Sequence, residues 1–186
     1  MPGPIDFSTV RLATPRLVLR PLETADAPAL FALFSDPVVM RYWSYPAWTE
    51  LKQAEQKIAD IQRQRRELDM LVWAIADADT DLLIGSSAIF YMDLAQARAE
   101  VGYSLHPDWQ GRGLASEALQ LVLGYVFNEL GLRRIEADID PRNLPSCRLV
   151  ERFGFVREGL LRERWQVNGE ICDSAIYGLL RQDFKL

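Results

Sequence analysis

Between residues 99 and 140 the chain reads as strand, helix, strand: "AEVGYSL" (99–105), a helix over 113–130, and "RRIEADID" (133–140). Ala115, Ala118, Leu119, Val122 and Val126 recur at helical spacing and form one apolar stripe. Ile135, Ala137 and Ile139 alternate with polar residues, as one face of a strand does. That order implies a parallel strand pair joined by a right-handed crossover, which constrains the topology more than any other stretch does.

The helix is entered through "HPDWQGRGLASEAL" (106–119). If Gly113 to Ala115 open it, their N–H groups have no acceptor within the helix and point outward. The helix dipole then favours an anion by ~0.3–1 kcal/mol, and by up to ~2 kcal/mol when partly buried. Glycine at 111 and 113 removes side chains that would hold a phosphate away, and Arg112 supplies a countercharge. A diphosphate fits these needs. A tight strand-to-helix turn would use the same glycines. No Walker lysine follows, and GRGLAS lacks the third glycine of a dinucleotide fingerprint.

Strands and helices alternate along the rest of the chain. "RLVLRPL" (16–22) alternates like a half-buried strand, and "ETADAPALFALFSD" reads as a short helix stopped by Pro37. Residues 38–48 are aromatic and irregular. Thr49 offers an N-cap for a largely polar, outward-lying helix to about Arg66. Strands over 70–77 and 82–91 form a hairpin through "ADTD". Asn143 caps a helix that tolerates Pro145 in its first turn and ends before Gly154. Closing strands at about 155–163 and 171–180 are joined across Asn168-Gly169, a hairpin-turn pair. The expectation is one α/β (α+β) domain over residues 1–186, a mixed sheet with antiparallel hairpins flanking the parallel pair and helices on both faces.

Composition narrows the partners. The net charge is −5, and only Arg63, Arg65 and Arg66 bunch, so a nucleic-acid partner is not expected. Cys147 and Cys172 have neither metal nor framework spacing, and no metal is expected. The N-terminal stretch lacks a signal-peptide core and no run approaches 18 apolar residues, so no membrane is expected and the cytoplasm is the expected compartment.

Four stretches in order resemble the GNAT superfamily of acyl-CoA N-acyltransferases. Gln110-Gly111-Arg112-Gly113-Leu114-Ala115 matches its Q/R-x-x-G-x-G/A pyrophosphate loop. "TPRLVLRPLETADA", "AEVGYSLHPDWQGRGLASEAL" and "NLPSCRLVERFGF" followed by "REG" resemble the branch containing the ribosomal-protein N-terminal acetyltransferases. The resemblance covers nearly the whole chain. It implies a mostly antiparallel sheet whose parallel pair splays apart, with acetyl-CoA as co-substrate. The backbone of Tyr103, Ser104 and Leu105 would pair with the pantetheine arm, and Gln110 to Ala115 would hold the pyrophosphate. Asn143 would hydrogen-bond the arm, and Arg152 (with Arg148) would approach the adenine side or the 3′-phosphate, unless both merely form a solvated stripe. Gly102 and Pro107 bracket the half of the first strand where pairing is easily interrupted.

Aminolysis of a thioester needs a neutral amine and a proton for the leaving thiolate. At pH 7 an α-amine is roughly one part in seven neutral, a lysine roughly one in 2,500. An N-terminal or small-molecule amine therefore demands little of a base. Glu100 is the candidate base, acting through water; pairing with a cation such as Arg98 is the equal alternative. Many superfamily members place a tyrosine acid where this chain has Val150. Ser146 is the expected replacement, its hydroxyl able to donate and accept, though it would also suit a first-turn cap. His106 is expected to shape the loop, and Cys147 shows no base partner for a covalent route. Trp43, Tyr45 and Tyr91, with Glu100, are the candidate acceptor contacts; Asp173 is expected to cap a turn. Direct transfer of an acetyl group to a primary amine, on a peptide N-terminus or a small molecule, is the leading function. An acyl-CoA-binding sensor or interaction domain without turnover, suggested by Val150, is the alternative. The last strand and the polar helix over 50–66 would suit a homodimer.

Overall fold

Strand β3 (Leu71–Asp77) is apolar on both faces, and that dictates a layered architecture. Leu71, Trp73 and Ile75 belong to one buried cluster, while Ala74, with Val72 packed beside it, belongs to a second. Successive strand side chains point to opposite faces, so each face of this sheet needs its own cover. The computed structural model describes residues 7–64 and 70–184.

Helices supply both covers. On one face lies α4 (Leu114–Asn128), which buries Ala118, Leu119, Val122, Leu123 and Val126. On the other lie α1 (Ala27–Ser35) and α3 (Leu51–Gln64), whose Ala54, Ile58 and Ile61 meet Leu30, Leu33 and Phe34. Helix α3 is polar apart from that stripe, so it lies outside as its composition implies but is anchored by an i, i+4, i+7 row.

The sheet holds eight described strands in the order β1-β2-β3-β4-β5-β6-β8-β7. Besides β3 these are β1 (Leu12–Ala13), β2 (Leu17–Pro21), β4 (Leu83–Asp93), β5 (Arg98–Leu105), β6 (Arg134–Ile139), β7 (Val156–Val167) and β8 (Glu170–Leu180). Every neighbouring pair is antiparallel except β5 and β6, which α4 connects. The mixed, mostly antiparallel sheet with helices on both faces is therefore present. Helix α5 (Leu144–Arg152) follows β6, and Asn143 caps it by accepting the Ser146 N–H at 3.3 Å.

Local differences have local causes. Asp36 leaves α1 in extended geometry and caps a further short helix, α2 (Pro37–Met40), so Pro37 opens a helix rather than only stopping one. Thr49 is not the α3 cap: the Gln53 side chain reaches back to accept the N–H groups of Thr49 and Glu50. Arg65 and Arg66 lie outside the described residues. Asn168 and Gly169 turn the last hairpin with φ of 50° and 85°, as a type I′ pair requires.

Gly85 pairs with Leu105 where β5 ends. A Cβ there would sit 2.5 Å from the Ser104 carbonyl oxygen, so β5 can approach β4 this closely only over glycine. Gly85→Ala is expected to destabilise the protein by about 1–3 kcal/mol in chemical denaturation, through overpacking against backbone. An unchanged denaturation midpoint would contradict that close approach.

Candidate active site

The parallel ladder between β5 and β6 is short. It pairs Arg98 with Arg134, Ala99 with Ile135 and Glu100 with Glu136, and then stops. Downstream, Val101 to Leu105 stay paired with β4 only, and Ala137 to Ile139 with β8 only. The two strands thus part and leave a slot lined by peptide groups with no cross-slot partner. A narrow extended ligand carrying amides can satisfy such edges. The Ser104 hydroxyl on β5 is buried without a hydrogen-bond partner among the described residues.

A hydroxyl pair bridges the slot. Tyr103 Oη lies 2.7 Å from Ser146 Oγ and donates to the Ser146 carbonyl at 3.4 Å, linking β5 to the first turn of α5. Burial pushes the Tyr103 phenol up to about 12, the bond to Ser146 opposing the rise. Near neutral pH it is therefore an intact O–H, able to pass a proton on. The Ser146 hydroxyl does not cap α5; that is done by Asn143, which lines the same cavity.

At the end of β5 the chain turns into α4 without a side-chain cap. Gly113 stands at the N-cap with φ of 79° and ψ of 0°, and Gly111 has φ of 74°. Both conformations favour glycine, and nothing lies within 4 Å of a Cβ built on Gly111. The first N–H groups of α4 are left to an outside acceptor. Leu114 buries its side chain in the core, so it and Ala115 can offer a ligand little beyond backbone. Gln110 uses its side-chain amide to hold the Leu105 carbonyl at 2.8 Å, and the Arg112 guanidinium sits 5.3 Å over the Trp109 ring. His106 Nδ1 accepts the Asp108 N–H, which shapes the loop. Arg152 is exposed in the last turn of α5, six residues and roughly 9 Å of helix beyond Ser146, so it does not reach the slot's hydroxyl pair.

A cavity of about 750 Å³ opens beside the slot. On β6, Ile135, Ala137 and Ile139 face the α4 core, which places Glu136 and Asp138 on the opposite face, with Glu100 paired to Glu136 from β5. All three carboxylates line the cavity. Arg98 pairs with Glu136 at 3.5 Å rather than with Glu100, which has no ion pair among the described residues. Burial, then the charges of Asp138 and Glu136, raise the Glu100 carboxyl from 4.5 to about 7, with Arg164 opposing. Burial raises Asp138 as well, although the Ser174 hydroxyl and the Trp165 side chain hydrogen-bond to it. Asp173 accepts the Glu163 N–H across the last hairpin, a structural use.

Aromatic rings complete the walls. Trp43 lines the cavity and Tyr91 stands exposed at its rim with φ of 51°. Tyr45 does not line it and instead packs its ring 5.4 Å from that of Trp43, so its place is beside the wall. Tyr42, part of the aromatic stretch over 38–48, lines the wall too, and Phe90 and Trp165 are wall residues that the sequence did not single out. Asp138 had a signal in the alternation of "RRIEADID"; Trp165 had none, because it arrives from a strand far along the chain.

Comparison with known proteins fits this geometry. Residues 16–156 match the family model described as Acetyltransferase (GNAT) domain. The uncharacterized N-acetyltransferase p20 of Bacillus licheniformis is 36% identical over 93% of this chain and 97% of its own. Spermidine N(1)-acetyltransferase of Escherichia coli (strain K12) is 30% identical over 82% of this chain and 79% of its own. The crystal structure of spermidine N-acetyltransferase from Vibrio cholerae in complex with CoA and spermine superposes with a TM-score of 0.81 at 25% identity, covering 91% of this chain and 98% of that one. The chain belongs to the GNAT acetyltransferase family and is an acyl-CoA-dependent acetyltransferase.

The raised Glu100 carboxyl has a consequence for stability. Its folded-state value of about 7 lies above the ordinary 4.5, so folding favours the protonated form. The resulting penalty is absent below about pH 4.5, grows as pH rises, and is complete above about 7. Glu100→Gln is expected to raise the melting temperature at pH 8 and leave it nearly unchanged at pH 4. A gain of equal size at both pH values would contradict the assignment.

Proposed function

We propose that this GNAT family member moves an acetyl group from acetyl-CoA directly to a primary amine bound in the acidic, aromatic-walled cavity. One observation carries the reading: Ser146, Tyr103 and Glu100 line a single cavity where the parallel ladder is open. Backbone groups of Tyr103, Ser104 and Leu105, with Asn143, would hold the pantetheine arm. The N–H groups from Gly111 to Ala115 would hold the diphosphate, with Arg112 nearby as countercharge. The uncapped α4 start and the unpaired strand edges fit such a ligand. When bound, acetyl-CoA supplies the activated acyl carbonyl.

The chain's own groups then divide the proton traffic. Glu100, with its carboxyl near 7, takes a proton from the acceptor ammonium through water, leaving a neutral nucleophile. Ser146 Oγ donates a proton to the departing sulfur, Tyr103 Oη, 2.7 Å away, replaces it, and the proton that the amine nitrogen sheds as the amide forms returns through water to Tyr103. No acyl-enzyme is needed, since both substrates meet in one slot.

The acceptor end favours a cation. Glu100 and Asp138 face the cavity, and the Trp43 ring offers a face against which an ammonium can rest, while Tyr42 and Trp165 already carry Arg41 and Arg164. Polyamines suit this wall, and the spermidine acetyltransferases among the relatives support that choice. A ribosomal-protein N-terminus, which the motif resemblance suggests, is the second acceptor class. The exposed β7 strand, with Val156, Leu160 and Leu161, supports a homodimer. No described helix is long and apolar enough to cross a membrane, and a cytoplasmic setting suits these acceptors. The sensor alternative is not favoured, because the family match and the acetyltransferase relatives support turnover.

Thiol release from acetyl-CoA with spermidine, an α-amine peptide and an amino acid as acceptors tests the reading. Ser146→Ala is expected to lower kcat by about 100-fold, and Tyr103→Phe by a smaller factor, with CoA affinity held within about threefold. Release from none of the amines, or variants as fast as the unaltered enzyme, would contradict it. As pH falls through 7, kcat/KM is expected to fall with Glu100, and Glu100→Gln to lose that limb.

A further inference from the structure

An acidic side chain occupies a place where the proposed reading needs an anion. Glu117 lies in the first turn of α4, directly behind the N–H groups assigned to the diphosphate. In an isolated helix a carboxylate here is favourable, because it meets the positive end of the dipole. Beside a bound diphosphate the same carboxylate competes for that end and repels the ligand.

Two residues from the turn before β2 close on it. Arg16 Nε donates to Glu117 Oε2 at 2.9 Å, Arg16 Nη2 donates to the same oxygen, and the Thr14 hydroxyl donates to Glu117 Oε1. Thr14 is itself fixed, since its oxygen accepts the N–H groups of Arg16 and Leu17 at 3.2 and 3.1 Å. Both carboxylate oxygens are thus engaged. The remaining arm, Arg16 Nη1, donates to the Arg112 carbonyl at 3.1 Å. In a trans peptide the N–H points opposite to the C=O, so this bond aims the Gly113 N–H away from Arg16. A Cβ on Gly113 would lie 3.8 Å from Arg16 Nη2, which places the guanidinium at the mouth of the helix.

We infer that Arg16 is a positioning residue for the acyl donor: it masks the Glu117 carboxylate so that the α4 N-terminus presents a net positive end to a diphosphate. The inference rests on the proposed seating of acetyl-CoA at Gly111 to Ala115. Arg16 acts through Glu117 and the Arg112 peptide, and its charge is spent there. The motif "TPRL" near the start of the chain thereby gains a use a hundred residues away.

Calorimetric titration with CoA of the unaltered protein, Arg16→Ala, Arg16→Lys, Glu117→Gln and the Arg16→Ala/Glu117→Gln double variant tests this. Arg16→Ala is expected to weaken CoA binding by about tenfold, because an unmasked carboxylate then faces the ligand. Glu117→Gln alone is expected to bind at least as tightly as the unaltered protein, and adding it to Arg16→Ala to restore most of the loss. Arg16→Lys keeps a charge and is expected to stay within about threefold. Direct phosphate contact by Arg16, or a purely structural clamp, predicts a loss that Glu117→Gln does not relieve, and that result overturns the inference. A folded Arg16→Ala that binds CoA as tightly as the unaltered protein overturns it too. If Arg16→Ala does not fold, weaker binding by Glu117→Gln alone is sufficient to overturn it. An unaltered protein that binds no CoA would instead sink the acetyltransferase reading and this inference with it.

Discussion

The fold's central constraint is a ladder that ends early. Parallel pairing of β5 with β6 stops at Glu100 and Glu136, although both strands continue. Continued pairing would seal the sheet and leave no route between its two faces. The opening survives because each strand keeps its antiparallel partner on the outer side, β4 for β5 and β8 for β6. Gly85 lets β4 and β5 come close at the end of β5, and the Tyr103–Ser146 contact links β5 to α5 beside the opening. Fold and function therefore share one defect in the hydrogen-bond pattern, bounded by regular structure on both sides.

Electrostatics assigns the two ends of that opening to different ligands. The α4 end offers uncapped N–H groups, glycine backbone and a carboxylate covered by Arg16. The cavity end offers Glu100 and Asp138, both raised by burial, against aromatic walls. On the proposed reading an anionic tail and a cationic amine enter from opposite sides of one slot, and their reacting ends meet between Ser146 and Glu100. The same burial that raises the Glu100 carboxyl works against stability above neutral pH, so the site is held in place by the core rather than by its own contacts.

Much of this was legible in the chain before any coordinates. Alternation in "RRIEADID" and the stripe from Ala115 to Val126 are local patterns, and they specified the strand–helix–strand crossover. Asn143, Gly113 and the Asn168-Gly169 turn were readable because caps and positive φ demand particular residues. What stayed hidden was non-local. The Ser146 hydroxyl was singled out, but its partner Tyr103 lies 43 residues earlier and had been read for its backbone alone. Glu100 stood equally as a base or as a partner of Arg98, and only the structure shows Arg98 turned to Glu136. Tyr45 was placed by density of aromatics, which does not report direction. Arg16 sits in a strand-like pattern whose sequence carries no hint of Glu117.

Backbone amide hydrogen exchange, read by mass spectrometry with and without CoA, tests the open ladder most directly. The account predicts fast exchange in the free protein for the amides of 101–105 that turn toward the slot, about half of them, and for 111–116, slow exchange in the paired core of β3 and β4, and strong new protection of the first two regions when CoA is added. Peptides over 101–105 as protected in the free protein as their β4 neighbours, or unmoved by saturating CoA, would contradict it.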